Sequence, residues 1–244
     1  MSEPDGWSSP RAAQRLRVQS DMVPGRSEVL ALIATLAAAC LSPRPAFLDL
    51  GCGSGDVTAE ILKRRPDAVA TLVDVSDEML KRAGRRFPDD GRVRILKQDL
   101  NAGIPDALAG SRFDAVVSCF AFHHVEPRNR VPLYEQIRGV LGPDGLLING
   151  DRVRGEAPAI GAWEFDYWIE WMASRARERF GITRDPAAIR RRQIEMDVEL
   201  GDQPGSIWAM RDDLQRAGFA HVDCLYKNQI TAVIVAVNQS NPGG

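Results

Sequence analysis

Short apolar segments alternate with helical segments between residues 46 and 149, and this alternation constrains the fold more than any other feature of the chain. The predicted strands are Ala46–Leu50, Val69–Val75, Val93–Gln98, Phe113–Cys119 and Gly145–Asn149. The fourth strand is almost entirely apolar, which is typical of a parallel strand covered on both faces. Strands that alternate with helices are joined by right-handed crossovers. The sequence therefore predicts an α/β fold with a Rossmann-like, doubly wound and mostly parallel sheet.

The alternation stops after the fifth predicted strand. Two helical stretches follow between Glu156 and about Leu200, with no strand between them. Further along the chain, two apolar segments flank the short link "KNQ", which favours an antiparallel hairpin. We therefore expect a seven-stranded sheet with an antiparallel last strand and a helical insertion after strand five.

One domain is expected over residues 1–244, because no internal repeat or low-complexity tract divides the chain. Residues 1–26 are polar and are predicted to form an N-terminal lid or arm. The helical insertion is predicted to span residues 152–205.

The composition disfavours several functions. The formal net charge is −2, so there is no overall positive field to attract nucleic acid. The four cysteines are widely spaced and form no CxxC pair. That spacing favours a reduced cytoplasmic protein over a disulfide framework or a zinc site. The apolar segment before the first strand is too short to span a bilayer, so no membrane association is expected.

Three glycines at alternate positions follow the first strand in "LDLGCGSGD", residues 48–56. Glycines allow a sharp turn and let the backbone approach a bound ligand closely. The segment lacks the GxxxxGK[ST] pattern of a P-loop, and Asp56 stands where a dinucleotide fingerprint has its third glycine. Asp49 adds a second carboxylate before the turn. Because both charges would repel a pyrophosphate, a cationic ligand is favoured.

Two further acids end the next two predicted strands. Asp74 ends the second strand, where a carboxylate can bridge the two hydroxyls of a ribose. Asp99 ends the third strand and can accept a hydrogen bond from the amino group of adenine. Recognition of a nucleoside without its phosphates, beside acids that favour a positive centre, indicates S-adenosylmethionine.

These segments resemble the motifs of the class I S-adenosylmethionine-dependent methyltransferases. "LDLGCGSG" is similar to their glycine motif, "LVDVSDEML" to their ribose segment and "QDL" to their adenine segment. "FDAVVSCFAFHHV" and "GPDGLLING" resemble their fourth and fifth strands with the flanking residues. The resemblance covers about residues 24–151 and resumes over the final hairpin. It implies that S-adenosylmethionine is the cofactor and S-adenosylhomocysteine the product.

The resemblance also implies roles for individual residues. Asp49 helps to hold the methionine amino group, Met79 packs on the adenine, and Cys119 lies near the sulfonium. The cofactor-binding residues implied in this way are Arg26, Asp49, Gly51, Cys52, Gly53, Asp74, Val75, Met79, Asp99, Leu100 and Cys119. Cys52 and Cys119 are interpreted as spacers rather than nucleophiles, because no basic residue stands beside them in the sequence.

The acceptor side is less clearly marked. "SCFAFHH" stands where enzymes acting on exocyclic base amines carry a D/N-P-P-Y motif, which disfavours that substrate class. His123 and His124 are the candidate catalytic residues. Either one of them is a general base for a weakly acidic acceptor, or the pair only packs beneath the site. No metal site is expected, because side chains at adjacent positions diverge.

The insertion carries an aromatic stripe. Trp163, Tyr167 and Trp171 lie on one side of a predicted helix and are the candidate substrate-binding residues. The stripe either walls an apolar acceptor pocket, or covers the core, or forms a contact within a homodimer. The insertion is therefore predicted to be an acceptor cap or a dimer contact.

Within this class, the chain is more similar to the bacterial carboxy-S-adenosylmethionine synthases of tRNA wobble-uridine modification. The similar segments are "VPGRSEVL", the two-helix insertion, "RRRQIEMDV" and "LQRAGF". Arg192 matches an arginine that binds the carboxylate of the modified donor in that family, so it is a further candidate substrate-binding residue. Arg26 stands where the family has tyrosine, and "GCGSG" replaces its "GCS". These departures favour a true methyltransferase.

We therefore expect a cytoplasmic enzyme of biosynthesis that transfers a methyl group from S-adenosylmethionine to a small molecule. One alternative is a carboxy-S-adenosylmethionine synthase-like enzyme, which modifies the sulfonium itself. Another is a protein that binds S-adenosylmethionine without turnover. The sequence leaves open whether the acceptor atom is nitrogen, oxygen, carbon or sulfur.

Overall fold

The computed structural model of the protein describes residues 22–40 and 42–239, so most of the predicted N-terminal lid or arm lies outside the described residues. The described part contains seven strands and seven α-helices. The strands are β1 (Ala46–Leu50), β2 (Val69–Asp74), β3 (Val93–Lys97), β4 (Phe113–Cys119), β5 (Leu141–Arg152), β6 (His221–Asn228) and β7 (Thr231–Asn238). The helices are α1 (Arg26–Ala38), α2 (Asp56–Arg64), α3 (Asp77–Arg86), α4 (Pro127–Val140), α5 (Pro158–Phe180), α6 (Pro186–Leu200) and α7 (Ile207–Arg216).

All of these strands form one sheet, with the order β3-β2-β1-β4-β5-β7-β6. Strands β1 to β5 pair in parallel, and β7 is antiparallel to both of its neighbours, β5 and β6. The strand order reverses between β1 and β4, so the carboxyl ends of these two strands open a crevice. The predicted doubly wound, mostly parallel sheet of seven strands with an antiparallel last strand is confirmed.

Helices cover both faces of the sheet. On one face, Ile33 of α1 and Ile61 of α2 are buried in the same apolar cluster as Phe47 of β1. On the other face, Ile137 of α4 is buried in a second cluster with Leu48, the next residue of β1. Alternate residues of a strand point to opposite faces, so a fully apolar run is what a sheet buried on both sides requires.

Strand β5 is longer than the sequence predicts. It begins at Leu141, which pairs with Phe113 ahead of a register shift, whereas the predicted strand begins at Gly145. It continues to Arg152, because pairing with β7 extends to that residue. The longer strand carries Asp151 and Arg152 to the carboxyl edge of the sheet.

The insertion after β5 consists of α5 and α6, as predicted. Trp168 and Met172 of α5 pack with Ile230, which lies in the turn between β6 and β7. An ion pair of 2.5 Å between Lys227 Nζ and Glu164 Oε1 joins the same two parts of the molecule. The insertion therefore rests on the antiparallel end of the sheet. Within the described ranges, no helix combines the length and the apolar character needed to cross a membrane.

Candidate active site

A cavity of about 890 Å³ opens at the carboxyl ends of β1, β2 and β4. Its walls include the glycine turn after β1, the start of α1, part of the insertion and the loop after α6. This is the crevice at the reversal of strand order, which is where open α/β sheets bind their ligands.

The glycine turn is built for a close approach of the backbone. Gly51, Gly53 and Gly55 have positive φ angles of 68°, 54° and 78°. A Cβ at Gly51 would lie 2.2 Å from the Cβ of Ala121, whereas a Cβ at Gly53 would have no atom within 4 Å. The Gly51 amide donates a hydrogen bond of 2.8 Å to the Val73 carbonyl oxygen, which ties the turn to β2. Gly51 is therefore required by both conformation and space, and Gly53 leaves the backbone open toward the cavity.

Asp49 lies at the base of this turn and is only 2% exposed. Its Oδ2 accepts a hydrogen bond of 2.6 Å from Thr58 Oγ1. Burial raises the pKa of Asp49 to about 7, and the nearby charge of Asp74 adds to the rise, although the Thr58 hydrogen bond opposes it. A cationic group bound beside Asp49 would favour the ionised carboxylate.

Asp74 at the end of β2 ties two turns together. Its Oδ2 accepts a hydrogen bond of 2.8 Å from the Gly53 amide, and its Oδ1 accepts one of 2.8 Å from the Ser76 amide. Burial raises the pKa of Asp74, while these backbone hydrogen bonds lower it in part. A carboxylate has about four acceptor positions, so Asp74 can still accept from a ligand hydroxyl.

The residues predicted to contact the adenine lie on the same wall. Asp99 begins the short 3₁₀ turn Leu100–Ala102 and accepts a hydrogen bond of 2.9 Å from the Asn101 amide. Leu100 and Met79 are buried beside it. All of the cofactor-binding residues predicted from the sequence line the cavity: Arg26, Asp49, Gly51, Cys52, Gly53, Asp74, Val75, Met79, Asp99, Leu100 and Cys119. Their individual roles stay predictions.

The two cavity cysteines are poor nucleophiles. Burial raises the pKa of Cys52 well above its ordinary value, and the charges of Asp49 and Asp74 raise it further. Burial also raises the pKa of Cys119 to about 12, although Arg26 opposes the rise. Because the thiolate is the reactive form, these environments agree with the interpretation of both residues as spacers.

Two arginines compensate the charge of Asp56, which weakens one of the reasons for expecting a cationic ligand. Asp56 Oδ1 lies 2.7 Å from Arg86 Nη2, and its Oδ2 lies 3.7 Å from Arg26 Nη2. The repulsion of a pyrophosphate that we attributed to Asp56 is therefore weakened by two guanidinium groups. The preference for a cationic ligand rests instead on the buried Asp49. Arg26 also faces the ring of Phe120, with 6.0 Å between its Cζ and the ring centroid.

The two candidate catalytic histidines lie side by side in the 3₁₀ turn Phe122–His124, after β4. Their ring centroids are 3.9 Å apart. The expectation that adjacent side chains diverge is therefore wrong at this position. The reason is that both rings turn toward Asp202: His124 Nδ1 lies 2.8 Å and His123 Nε2 lies 3.9 Å from Asp202 Oδ1.

Each histidine has its own acidic partner. Asp151 Oδ2 accepts a hydrogen bond of 3.0 Å from the His123 amide, and its Oδ1 lies 2.5 Å from His123 Nδ1. Burial lowers the pKa of His124, and the charge of His123 lowers it further, while the contact with Asp202 opposes the change. His124 is therefore neutral near pH 7 and can accept a proton.

Arg152 at the end of β5 anchors the loop after α6. Its Nη1 donates hydrogen bonds of 2.8 Å to Asp202 Oδ2 and to Asp197 Oδ1, and its Nη2 donates one of 2.6 Å to Asp197 Oδ2. Burial raises the pKa of Asp202, but His124, His123 and Arg152 outweigh it, so that the pKa lies below its ordinary value. The hydrogen bond with His124 and the charge of Arg152 therefore favour the ionised form of Asp202.

The sequence prediction missed Asp151, Arg152 and Asp202. A local signal was available for the first two, since "NGDR" directly follows the apolar core of strand five, and site residues concentrate at the carboxyl ends of parallel strands. Asp202 has no comparable signal. It follows a helix of the insertion and meets the histidines only through the tertiary fold.

The insertion contributes a different face of α5 from the one predicted. Trp168 and Met172 line the cavity, whereas Trp163, Tyr167 and Trp171 do not. Trp163 is 58% exposed and Tyr167 is 37% exposed. The physical reason is that Trp168 and Met172 pack against Ile230, which turns Trp163 and Tyr167 outward, while the half-buried Trp171 packs at the edge of the same cluster.

Arg192, the fourth predicted substrate-binding residue, also lies outside the cavity wall. Its Nη1 pairs with Glu195 Oε2 at 3.0 Å and with Glu199 Oε1 at 3.3 Å along the exposed side of α6. In this arrangement the positive charge of Arg192 is paired with acidic residues of its own helix, α6.

Residues 47–145 match a sequence family described as a methyltransferase domain. This segment contains β1 to β4, the glycine turn and both histidines. The fold and the cavity agree with this match, which identifies a methyltransferase domain within the chain. The predicted enzyme class and the predicted donor, S-adenosylmethionine, are thereby confirmed.

Two sequence relatives are similar to this chain over different lengths. A carboxy-S-adenosyl-L-methionine synthase of Aeromonas hydrophila is 27% identical over 222 residues, which cover 90% of this chain and 85% of the relative. An uncharacterized methyltransferase of Mycobacterium tuberculosis is 34% identical over 137 residues, or 54% of this chain and 64% of the relative. The similarity to the carboxy-S-adenosylmethionine synthases that the sequence motifs suggested is thus confirmed.

Among solved structures, human N-acetylserotonin methyltransferase in complex with SAM is similar in fold, with a TM-score of 0.59 and 17% identity. The match covers 94% of this chain and 55% of the human chain. The present chain therefore spans little more than half the length of that enzyme, and at this identity the likeness shows the fold alone.

Proposed function

We propose that this chain acts as one domain that transfers a methyl group from S-adenosylmethionine to a small-molecule acceptor. The observation that carries the proposal is the composition of the cavity. Every residue assigned to the donor from sequence lines it, and His123, His124 and Asp202 line the same space, with Asp151 buried behind His123.

On the donor side, we assign Asp49 to the methionine ammonium and Asp74 to the ribose hydroxyls. Asp99 and Leu100 read the adenine edge, and Met79 packs on the adenine face. The assignments are supported by the order of these residues along the carboxyl edge of β1, β2 and β3. Donor binding by this wall leaves the histidine side of the cavity for a second ligand.

During transfer, the bond between the sulfonium sulfur and the methyl carbon breaks as the bond to the acceptor atom forms. The donor becomes a neutral thioether, and the acceptor loses a proton if it carries one. His123 and His124 are the groups that can take this proton, because Asp151 and Asp202 would stabilise the resulting imidazolium. The 2.8 Å contact between His124 Nδ1 and Asp202 Oδ1 and the neutral imidazole of His124 favour this role over simple packing.

The acceptor would lie beneath the insertion. Trp168 and Met172 give the cavity an apolar wall there, so we propose an acceptor with an apolar or aromatic body. The outward stripe of Trp163 and Tyr167 suits a contact within a homodimer. A role in biosynthesis and a cytoplasmic location stay predictions from the sequence.

A carboxy-S-adenosylmethionine synthase is the second candidate, favoured by the 27% identity over most of both chains. From the resemblance to that family, Arg192 was predicted to bind the carboxylate of the modified donor. Its position outside the cavity, paired with Glu195 and Glu199, argues against this assignment. We therefore rank methyl transfer first.

Mass spectrometry separates these candidates. The full chain is incubated with S-adenosylmethionine bearing a deuterated methyl group and a library of small acceptors, and in a second reaction with prephenate. Label in an acceptor together with S-adenosylhomocysteine supports methyl transfer, and a carboxylated sulfonium nucleoside supports the synthase. Binding of the donor with neither product would indicate a binding protein. Calorimetry that detects NAD but not S-adenosylmethionine would contradict all three.

A further inference from the structure

We propose that His123, His124 and Asp202 form a binding site for one divalent transition-metal ion on the cavity wall. The inference rests on the proposed function and deepens it, because the ion would act on the methyl acceptor. It also revises the sequence-based expectation of no metal site, whose physical reason fails in the folded chain.

The ligand atoms are close enough to share one ion. Each of the three residues offers a nitrogen or oxygen donor, and these atoms all lie within 4.8 Å of one another. Asp202 Oδ1 is 2.8 Å from His124 Nδ1 and 3.9 Å from His123 Nε2. Metal–ligand bonds of about 2.0–2.2 Å in a tetrahedron put ligand atoms about 3.3 Å apart. The two distances to Asp202 Oδ1 differ from that spacing by about 0.5–0.6 Å, which small rotations of the side chains would supply.

The residues behind the ligands are those that a metal site needs. A ligating histidine almost always has its other ring nitrogen held by a carboxylate or carbonyl group. Asp151 Oδ1 holds His123 Nδ1 at 2.5 Å, which directs Nε2 toward Asp202. Arg152 Nη1 occupies Asp202 Oδ2 at 2.8 Å and leaves Oδ1 facing the histidines. These contacts orient two of the three ligands before any ion binds.

A ligand set of two imidazoles and one carboxylate determines which class of metal ion the site would prefer. Imidazole suits zinc, iron, cobalt, nickel and copper, whereas magnesium and calcium prefer sets made of oxygen alone. All three ligands line the cavity, so the remaining coordination positions of the ion would face the acceptor space. An acceptor hydroxyl bound there would lose its proton more readily, because the cation stabilises the oxyanion.

One imidazole nitrogen cannot both bind a metal ion and act as the base that takes the acceptor's proton. A metal-bound imidazole nitrogen has no lone pair left for a proton, so the released proton would go to solvent or to a free carboxylate. A proton carried by the nitrogen that binds the ion would be released when the ion binds.

The test measures binding of metal ions alone to the tag-free full chain. The chain is treated with chelator and dialysed, and zinc, cobalt(II), manganese(II) and magnesium ions are titrated by calorimetry, with bound metal counted by plasma mass spectrometry. We expect one equivalent of zinc or cobalt, a visible ligand-field spectrum for the cobalt form, and no tight binding of magnesium. Three ligand variants, His123→Ala, His124→Gln and Asp202→Asn, should each weaken binding by more than about 100-fold, and Asp151→Asn by about 10- to 100-fold.

His221→Ala is the matched control, because His221 is exposed on β6 and outside the cavity. It should bind metal like the parent chain. Donor binding by calorimetry shows whether each variant is folded, and it does not depend on the metal. The proposal is overturned if the parent chain with intact donor binding takes up no ion, or if the ligand variants bind as well as the parent. Loss of donor binding in the parent chain would instead overturn the proposed function.

Discussion

Alanine substitutions in the glycine turn can separate backbone strain from steric exclusion. Gly51 and Gly53 share left-handed backbone angles, with φ of 68° and 54°. Such a conformation costs a non-glycine residue about 1–2 kcal/mol. Only at Gly51 would the new Cβ also collide with Ala121, at 2.2 Å, and overpacking of this kind costs about 1–3 kcal/mol more. Gly53→Ala should therefore lower the free energy of unfolding by about 1–2 kcal/mol, and Gly51→Ala by about 2–5 kcal/mol.

The assay is denaturant unfolding followed by tryptophan fluorescence, combined with calorimetry of S-adenosylmethionine binding. Gly110→Ala is the control, since Gly110 has a φ of 76°, no atom within 4 Å of a new Cβ, and no part in the cavity wall. Gly53→Ala and Gly110→Ala should lose similar stability, but only Gly53→Ala should lose donor affinity, because its methyl group would occupy the ligand's side of the turn. Equal stability losses in all three variants would refute the steric argument. Unchanged donor affinity in Gly53→Ala would refute the close approach of the donor to the turn.

Four further predictions concern the acids and the insertion. Burial raises the pKa of Asp49 to about 7, so this carboxyl becomes neutral as the pH drops below about 7. Donor affinity should therefore fall over the same range, and calorimetry should find this pH dependence missing in Asp49→Asn. In the free protein the sign is opposite: a raised carboxyl pKa means that stability is lost as the pH rises from about 4 to about 7, which thermal unfolding of the parent and the variant will test. Asp74→Ala should weaken donor binding about 10- to 100-fold through the loss of charge-assisted hydrogen bonds, whereas Asp77→Ala, on the exposed start of α3, should change it little. Trp163→Asp should convert a dimer to a monomer in light scattering after size exclusion, and a parent chain that is already monomeric would rule out the proposed contact.

The donor half of the site was predictable because its information is local. The glycines, Asp49 and Asp56 are neighbours in the sequence, and parallel pairing of β1, β2 and β3 brings their carboxyl ends to one edge. Once the alternation of strands and helices is recognised, Asp74 and Asp99 must lie near the turn. Topology thus follows from periodicity, and the donor residues follow from topology.

The acceptor half was only partly predictable. His123 and His124 were identified, but their acidic partners lie on β5 and in the loop after α6. The aromatic residues of α5 show the same difficulty. The helix has large apolar side chains on more than one side, so its sequence does not indicate which side faces the cavity.

The sequence by itself determined the doubly wound sheet, the position of the glycine turn and the chemical class of the donor. These depend on hydrophobic periodicity and on residues next to one another in the chain. Only the tertiary structure decided that Asp202 meets two adjacent histidines, that Arg86 and Arg26 compensate Asp56, and that Trp168 rather than Trp163 faces the cavity. Each of these contacts joins segments that are distant in sequence. Their distances depend on how the helices pack against the sheet, and no local pattern encodes that packing.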